Sequence, residues 1–204
     1  MSFHARWEGL WQALGKPLPA GLLGALLAAY GEPQRHYHTL QHLAECFAHL
    51  DEAQAPAGQA REVELALWFH DAVYDVHVRD NERRSADWAL RDLGAAGLPP
   101  GLCERVAFLV MSTAHDAPAA SPDAQLLTDI DLAILGAPRA RFAEYERQIR
   151  AEYAHVLAAL FAGKRREVLQ GFLERDRIYQ TAHFATRYEQ AARANLAQAI
   201  ALPG

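Results

Sequence analysis

Cysteine is scarce in this chain, with only Cys46 and Cys103 among 204 residues. Neither belongs to a CxxC pair, and both lie in helix-like apolar surroundings. They read as buried free thiols of a cytosolic protein rather than parts of a disulfide framework. Also missing is any apolar run long enough to span a bilayer, so no membrane partner is expected. The first residues, MSFHARWEGLW, lack a basic region followed by an apolar stretch. They do not read as a signal peptide, and a cytoplasmic location is expected. No block of Lys and Arg occurs, which argues against binding long nucleic acid. β-Branched residues are sparse and no run alternates apolar with polar, so almost no sheet is expected. Internal repeats, low-complexity tracts and long linkers are absent as well.

What is present is an ordinary globular composition, 51% apolar and 22% charged, with a net charge of −5. A chain of this length supports one generous domain, read here as 1–204. The acidic balance leaves room for a small anionic substrate, because a bound metal can override the overall charge locally. Oligomeric state, monomer or homodimer, is open.

The periodicity is helical throughout. Phe3, Trp7, Leu10, Trp11 and Leu14 form one stripe. Leu22, Leu23, Leu26, Leu27 and Tyr30 form a second, stopped by Gly31 and Pro33. Further helices are expected over about 38–50 and 60–73, with a break at 54–59 between them. Asp80 or Asn81 is expected to cap the next helix, which ends between Gly94 and Pro100. A helix over 102–112, a loop over 116–122 and a short helix carrying TDIDLAILG (128–136) follow. Then come a long helix over 139–162, another over 164–175, and a last one over 184–200. The tryptophans at 7, 11, 68 and 88 read as core.

Ten histidines is a high count, and a few of them fall beside carboxylates. His70 and Asp71 adjoin at the apolar end of a helix, in WFHD. Neighbours on a helix diverge by about 100°, so a metal shared by them needs ligands from other helices too. Taken alone, the pair reads more simply as a core histidine beside a helix-end aspartate. His38 and His42 stand one helical turn apart, on one face. A zincin would carry Glu right after the first histidine, and Thr39 stands there instead. Asp129 and Asp131 bracket Ile130 in an apolar run, where carboxylates are costly unless paired or bound to a cation. One of the two is expected to cap the short helix, and Asp129 is assigned that part.

The order His42, His70-Asp71, Asp131 resembles the H…HD…D signature of the HD superfamily of metal-dependent phosphohydrolases. The likeness is closest to a branch described as predicted phosphohydrolases of that superfamily. It runs through RHYHTLQHL (35–43), WFHDAVYD (68–75), DNERRSA (80–86), DIDLAILG (129–136), YERQIRAEY (145–153), FLERDRIYQT (172–181) and EQAARANL (189–196). Each motif is weak singly, but their order over about 35–196 is specific.

The resemblance implies an all-α, HD-like helical bundle with a metal in a cleft between helices. It implies His42, His70, Asp71 and Asp131 as ligands of one divalent ion, with Asp71 also placed to touch the attacking water. Such an N/O set suits Mn²⁺, Fe²⁺, Co²⁺, Ni²⁺ or Zn²⁺ more than Ca²⁺, and Mg²⁺ stays in the set to be tested. His115 is a candidate for a second metal or for the phosphate, and Glu82 for a catalytic role. Arg35, His38, Ser85 and Arg150 are candidate substrate contacts, the arginines because a guanidinium grips phosphate bidentately. For each arginine taken singly, a surface salt bridge is the simpler reading, and the remaining histidines carry no assigned role. The expected activity is hydrolysis of a small phosphorylated, nucleotide-like compound. The rivals are a non-catalytic metal- or ligand-binding module and a two-iron oxygenase on the same scaffold.

Overall fold

The computed structural model describes residues 2–54, 57–115 and 119–201, with the side chains of 57–59 outside that description. Among the described residues the protein is all-α, with ten α-helices, two short 3-10 segments and no strand. None of these helices is long and apolar enough to cross a membrane. The chain divides into two compact units, Met1–Pro118 and Ala119–Gly204.

The first unit holds α1 (Phe3–Ala13), α2 (Leu22–Tyr30), α3 (Leu40–Ala53), α4 (Ala57–Phe69), α5 (Asn81–Ala95) and α6 (Pro100–Met111). Its core is α4. Five consecutive residues, Leu65 to Phe69, are wholly inaccessible to solvent, as expected where the end of a helix is apolar on every side. It packs against α3, α5 and α6. Trp68 gathers an aromatic cluster: Trp7 meets it edge-on at 5.0 Å, Phe47 at 4.7 Å and Phe3 at 5.8 Å between ring centroids. Burying each such ring stabilises the unit by about 1.5–3 kcal/mol. Trp88 is only half-buried and donates its indole N–H to Asp92 at 2.7 Å.

Several boundaries differ from the sequence reading, each for a local reason. Thr39 caps α3 by accepting from the Gln41 N–H at 3.3 Å, so the helix starts after His38. His38 and His42 therefore do not share a helix face. The break expected at 54–59 is shorter, since α4 begins at Ala57 and only Ala55 and Pro56 lie outside the described backbone. At its other end α4 stops at Phe69, one residue before the His-Asp pair. Asp80 makes no side-chain cap to α5. Asn81 instead reaches back to Asp75, accepting its N–H at 3.0 Å and donating to its carbonyl at 2.9 Å.

The second unit holds α7 (Pro122–Asp131), α8 (Arg139–Glu152), α9 (Ala158–Leu173) and α10 (Ala182–Ala201). Of the loop expected over 116–122, residues 116–118 lie outside the description, and Ser121 already caps α7 through the Ala124 N–H. The expected short helix over 128–136 is the last turn of α7 followed by a 3-10 segment, Leu132–Gly136. That segment packs on α10. A Cβ on Gly136 would sit 2.7 Å from the Tyr188 Cβ and 2.8 Å from its carbonyl oxygen, so only glycine admits this approach. Asn195 donates to the Leu135 and Ala137 carbonyls, both at 2.9 Å, and Tyr179 donates to the Leu132 carbonyl at 3.0 Å. The long helix expected over 139–162 is broken between Glu152 and Ala158. Arg150 folds back there, donating to the Tyr153 and Val156 carbonyls.

Candidate metal centre

Three residues of the first unit meet where α3 faces the turn after α4. His42 lies in the first turn of α3, and its Nε2 stands 3.1 Å from the Nε2 of His70. Asp71 Oδ2 lies 3.1 Å from His70 Nε2 and 3.4 Å from His42 Nε2. Because α4 has ended, His70 and Asp71 escape the helical divergence and point to one place. Both imidazoles are almost fully buried, and the Asp71 side chain keeps 18% of its surface. Two donors held about 2.1 Å from one ion stand roughly 3.0–3.5 Å apart at angles between 90° and tetrahedral. All three separations fit that window.

The surroundings orient these atoms. His70 Nδ1 lies 2.7 Å from the Leu67 carbonyl. A carbonyl can only accept, so Nδ1 carries the hydrogen and Nε2 presents its lone pair inward, the tautomer metal-binding histidines adopt. The Tyr30 hydroxyl sits beside it, accepting from the Asp71 N–H at 3.2 Å and donating to the Leu67 carbonyl at 3.3 Å. Burial pushes the Tyr30 phenol up to about 12 despite the opposing field of His70, so it stays neutral. Burial draws the His70 imidazole down, but Asp71, Tyr30 and Cys46 together outweigh it and hold His70 well above its ordinary value. Reciprocally, burial raises the Asp71 carboxyl, while His70 and then His38 carry it well below the usual range. The centre calls for positive charge between the two nitrogens and the carboxylate, which a proton or a metal ion supplies.

Sequence reading missed a fourth donor. Cys46 follows His42 by one turn of α3, and its Sγ lies 3.7 Å from His42 Nε2 and 3.8 Å from Nδ1. Ligand atoms of His42, Cys46 and His70 fall within 4.8 Å of one another, a group that could hold a metal ion. Burial raises the thiol, yet His42 and His70 together outweigh this and leave it below its ordinary value. The four-residue spacing from His42 was the available signal.

Three expected substrate contacts are engaged elsewhere. Arg35 is buried and directs its guanidinium to the Asp71 and Ala72 carbonyls, the His38 carbonyl and Glu32. It clamps the turn that carries the His-Asp pair. Ser85 is wholly buried, and its hydroxyl accepts the Val73 N–H at 3.0 Å. It pins the same turn from α5. Arg150 lies in the second unit, holding the α8–α9 break and covering the Phe161 ring at 4.9 Å. These three hold backbone in place.

His38 stacks on Tyr74 with centroids 3.9 Å apart, and its field acts on Asp71. Glu82 is half-buried in the first turn of α5. His115 follows the 3-10 segment Ser112–Ala114 in the left-handed region, at φ 55°. In the second unit the two aspartates of DID part company. Asp129 is wholly buried and accepts from the Gln180 and Thr181 N–H groups and the Thr181 hydroxyl, at 2.6–3.1 Å. It anchors the entry to α10 rather than capping the short helix, as was expected of it. Asp131 closes α7 and is half-buried.

No family model, curated protein or solved structure matches the chain.

Proposed function

We propose that the protein is a metal-dependent phosphohydrolase acting on a small phosphorylated, nucleotide-like compound. The observation that carries this is the convergence of His42, His70 and Asp71 within 3.1–3.4 Å, with the His70 tautomer set by the Leu67 carbonyl. Asp131 is proposed as a further ligand, which is the assignment that the resemblance to HD phosphohydrolases implies. Asp129 is a poor alternative, because its oxygens already accept four hydrogen bonds. A divalent ion in such a site would acidify a water molecule and polarise a phosphoryl oxygen.

The chain's own residues have separable parts in this reading. His42 and His70 present neutral nitrogens from a buried wall. Asp71, the most exposed of the three, orients the attacking water by accepting its hydrogen. His38, half-buried beside Asp71 and stacked on Tyr74, is the nearest candidate to donate to a phosphoryl oxygen. His115 and Glu82 are proposed for the phosphate, a second ion or proton transfer. Arg35 and Ser85 act at one remove, by fixing the turn on which the pair sits.

The test is a panel of nucleotides and phosphomonoesters incubated with the full chain and Mn²⁺, Co²⁺, Ni²⁺, Zn²⁺ or Mg²⁺, reading phosphate or pyrophosphate release. Asp71→Ala should abolish turnover, whereas His155→Ala, exposed on the second unit, should leave it nearly unchanged. If no compound is turned over with any metal, a non-catalytic metal-binding module is the better reading.

A further inference from the structure

We propose that the exposed face of α9 binds the same face of a second copy of this chain, antiparallel, through Leu160, Lys164, Glu167 and Gly171. The inference concerns association alone and rests on neither the metal-site reading nor the hydrolase reading.

α9 is thinly covered within its own chain. Leu169 is the one buried residue of its sixteen, and it lies about 140° around the helix from Lys164 at 100° per residue. On the outer side Leu157, at the start of the helix, is 80% exposed, Leu160 58% and Val168 49%. Helices in proteins draw most of their stability from a packed apolar face, so α9 gains by covering this one. Gly171 weakens the helix, and nothing lies within 4 Å of a Cβ added there. Its missing side chain therefore fits no neighbour in the same chain and leaves a gap on the outer face.

The charges indicate what covers that face. Leu160, Lys164, Glu167 and Gly171 fall within about 60° of arc. Lys164 pairs with Glu167 at 2.7 Å, and the two side chains are 69% and 67% exposed. A two-fold axis perpendicular to α9, between Arg165 and Arg166, sets Lys164 beside Glu167 of the second copy and the reverse. Four charges then alternate in sign. The same axis lays each Leu160 over the gap at Gly171 of the second copy, because the two residues stand equally far from it. Such an interface is isologous, one patch serving both sides. A parallel pair, or an antiparallel pair centred on Lys164, sets Lys164 against itself and is disfavoured by like charge. α9 is about 24 Å long, so the buried area falls at the low end of protein interfaces and the dimer is a reversible one.

The test is sedimentation equilibrium of the full chain from micromolar to millimolar concentration, beside Lys164→Glu, Glu167→Lys, the double reversal and Gly171→Gln. A monomer–dimer equilibrium is expected in the parent. Each single reversal should weaken it roughly tenfold or more, and the double reversal should return it close to the parent's value. Gly171→Gln should raise the unfolding midpoint of dilute, monomeric protein by improving the helix, yet weaken the dimer by filling the seat of Leu160. A position that served only the fold would not move the two readouts in opposite directions. Far-ultraviolet circular dichroism confirms that every variant keeps its helix content. A chain that stays monomeric at every concentration, whether its outer face meets another protein, a lipid surface or nothing, overturns the proposal. So does a dimer that ignores the single reversals, or one that the double reversal fails to restore.

Discussion

Among single residues, the site depends on side chains that never reach its centre. Arg35 is the clearest case, since its hydrogen bonds end on the Asp71 and Ala72 carbonyls. Arg35→Ala should lower stability by about 2–4 kcal/mol, because buried carbonyls lose charge-assisted donors. It should also weaken metal binding, as the turn relaxes. Thermal melting and metal titration read both effects; a raised KM with unchanged melting would restore Arg35 to phosphate binding.

A second prediction for one residue concerns Glu64, which faces Arg6 at 2.9 Å. Burial, joined by the like charge of Asp51, raises the Glu64 carboxyl above its ordinary value against the opposing pull of Arg6. The sign follows from proton counting. Between the unfolded value, 4.5, and the higher folded one, the native state binds more protons than the unfolded state. The parent therefore gains stability relative to Glu64→Gln as pH falls through that window. Urea denaturation of the two proteins at pH 7 and pH 4.5 should show the difference shifting in the parent's favour at the lower pH.

Among the helices and their junctions, two glycines predict opposite outcomes. Gly136 brings the 3-10 segment onto α10, and an added methyl would meet the Tyr188 backbone. Gly136→Ala should cost about 1–3 kcal/mol by overpacking. Gly163 lies inside α9, and a Cβ added there meets nothing within 4 Å. Gly163→Ala should stabilise the protein by up to about 1 kcal/mol through helix propensity. Urea unfolding midpoints of the two variants should move in opposite directions. The same helix shows why its start is hard to read in the sequence. Gly163 reads as a break, yet α9 runs through it. The real break, at 153–157, contains neither glycine nor proline and is held by Arg150. Within the DID motif, Asp129→Ala should destabilise the second unit by removing the acceptor at the start of α10, read as a lowered unfolding midpoint.

For the molecule as a whole, the proposed metal should act as a ligand of the folded state alone. At a free concentration a hundred times its dissociation constant it adds about 2.7 kcal/mol. Chelation should lower the melting temperature of the parent, and His42→Ala should abolish that metal dependence. A parent whose melting ignores both Zn²⁺ and a chelator would count against the centre.

The all-α class was legible in the linear chain, because apolar spacing and the lack of strand residues are local properties. The grouping of His42, His70 and Asp71 came from the order of the motifs, because the His70-Asp71 pair by itself reads more simply as a core histidine beside a helix-end aspartate. Which polar side chains face the centre and which hold backbone is a matter of packing in three dimensions. Arg35, Ser85 and Arg150 look like ligand-binding residues in a linear text, but their partners are carbonyl and amide groups exposed where helices end. Those ends are set by packing and capping. The end of α4 at Phe69 is what lets His70 and Asp71 converge, and the Thr39 cap is what removes His38 from the face of α3 and leaves Cys46 as the partner of His42.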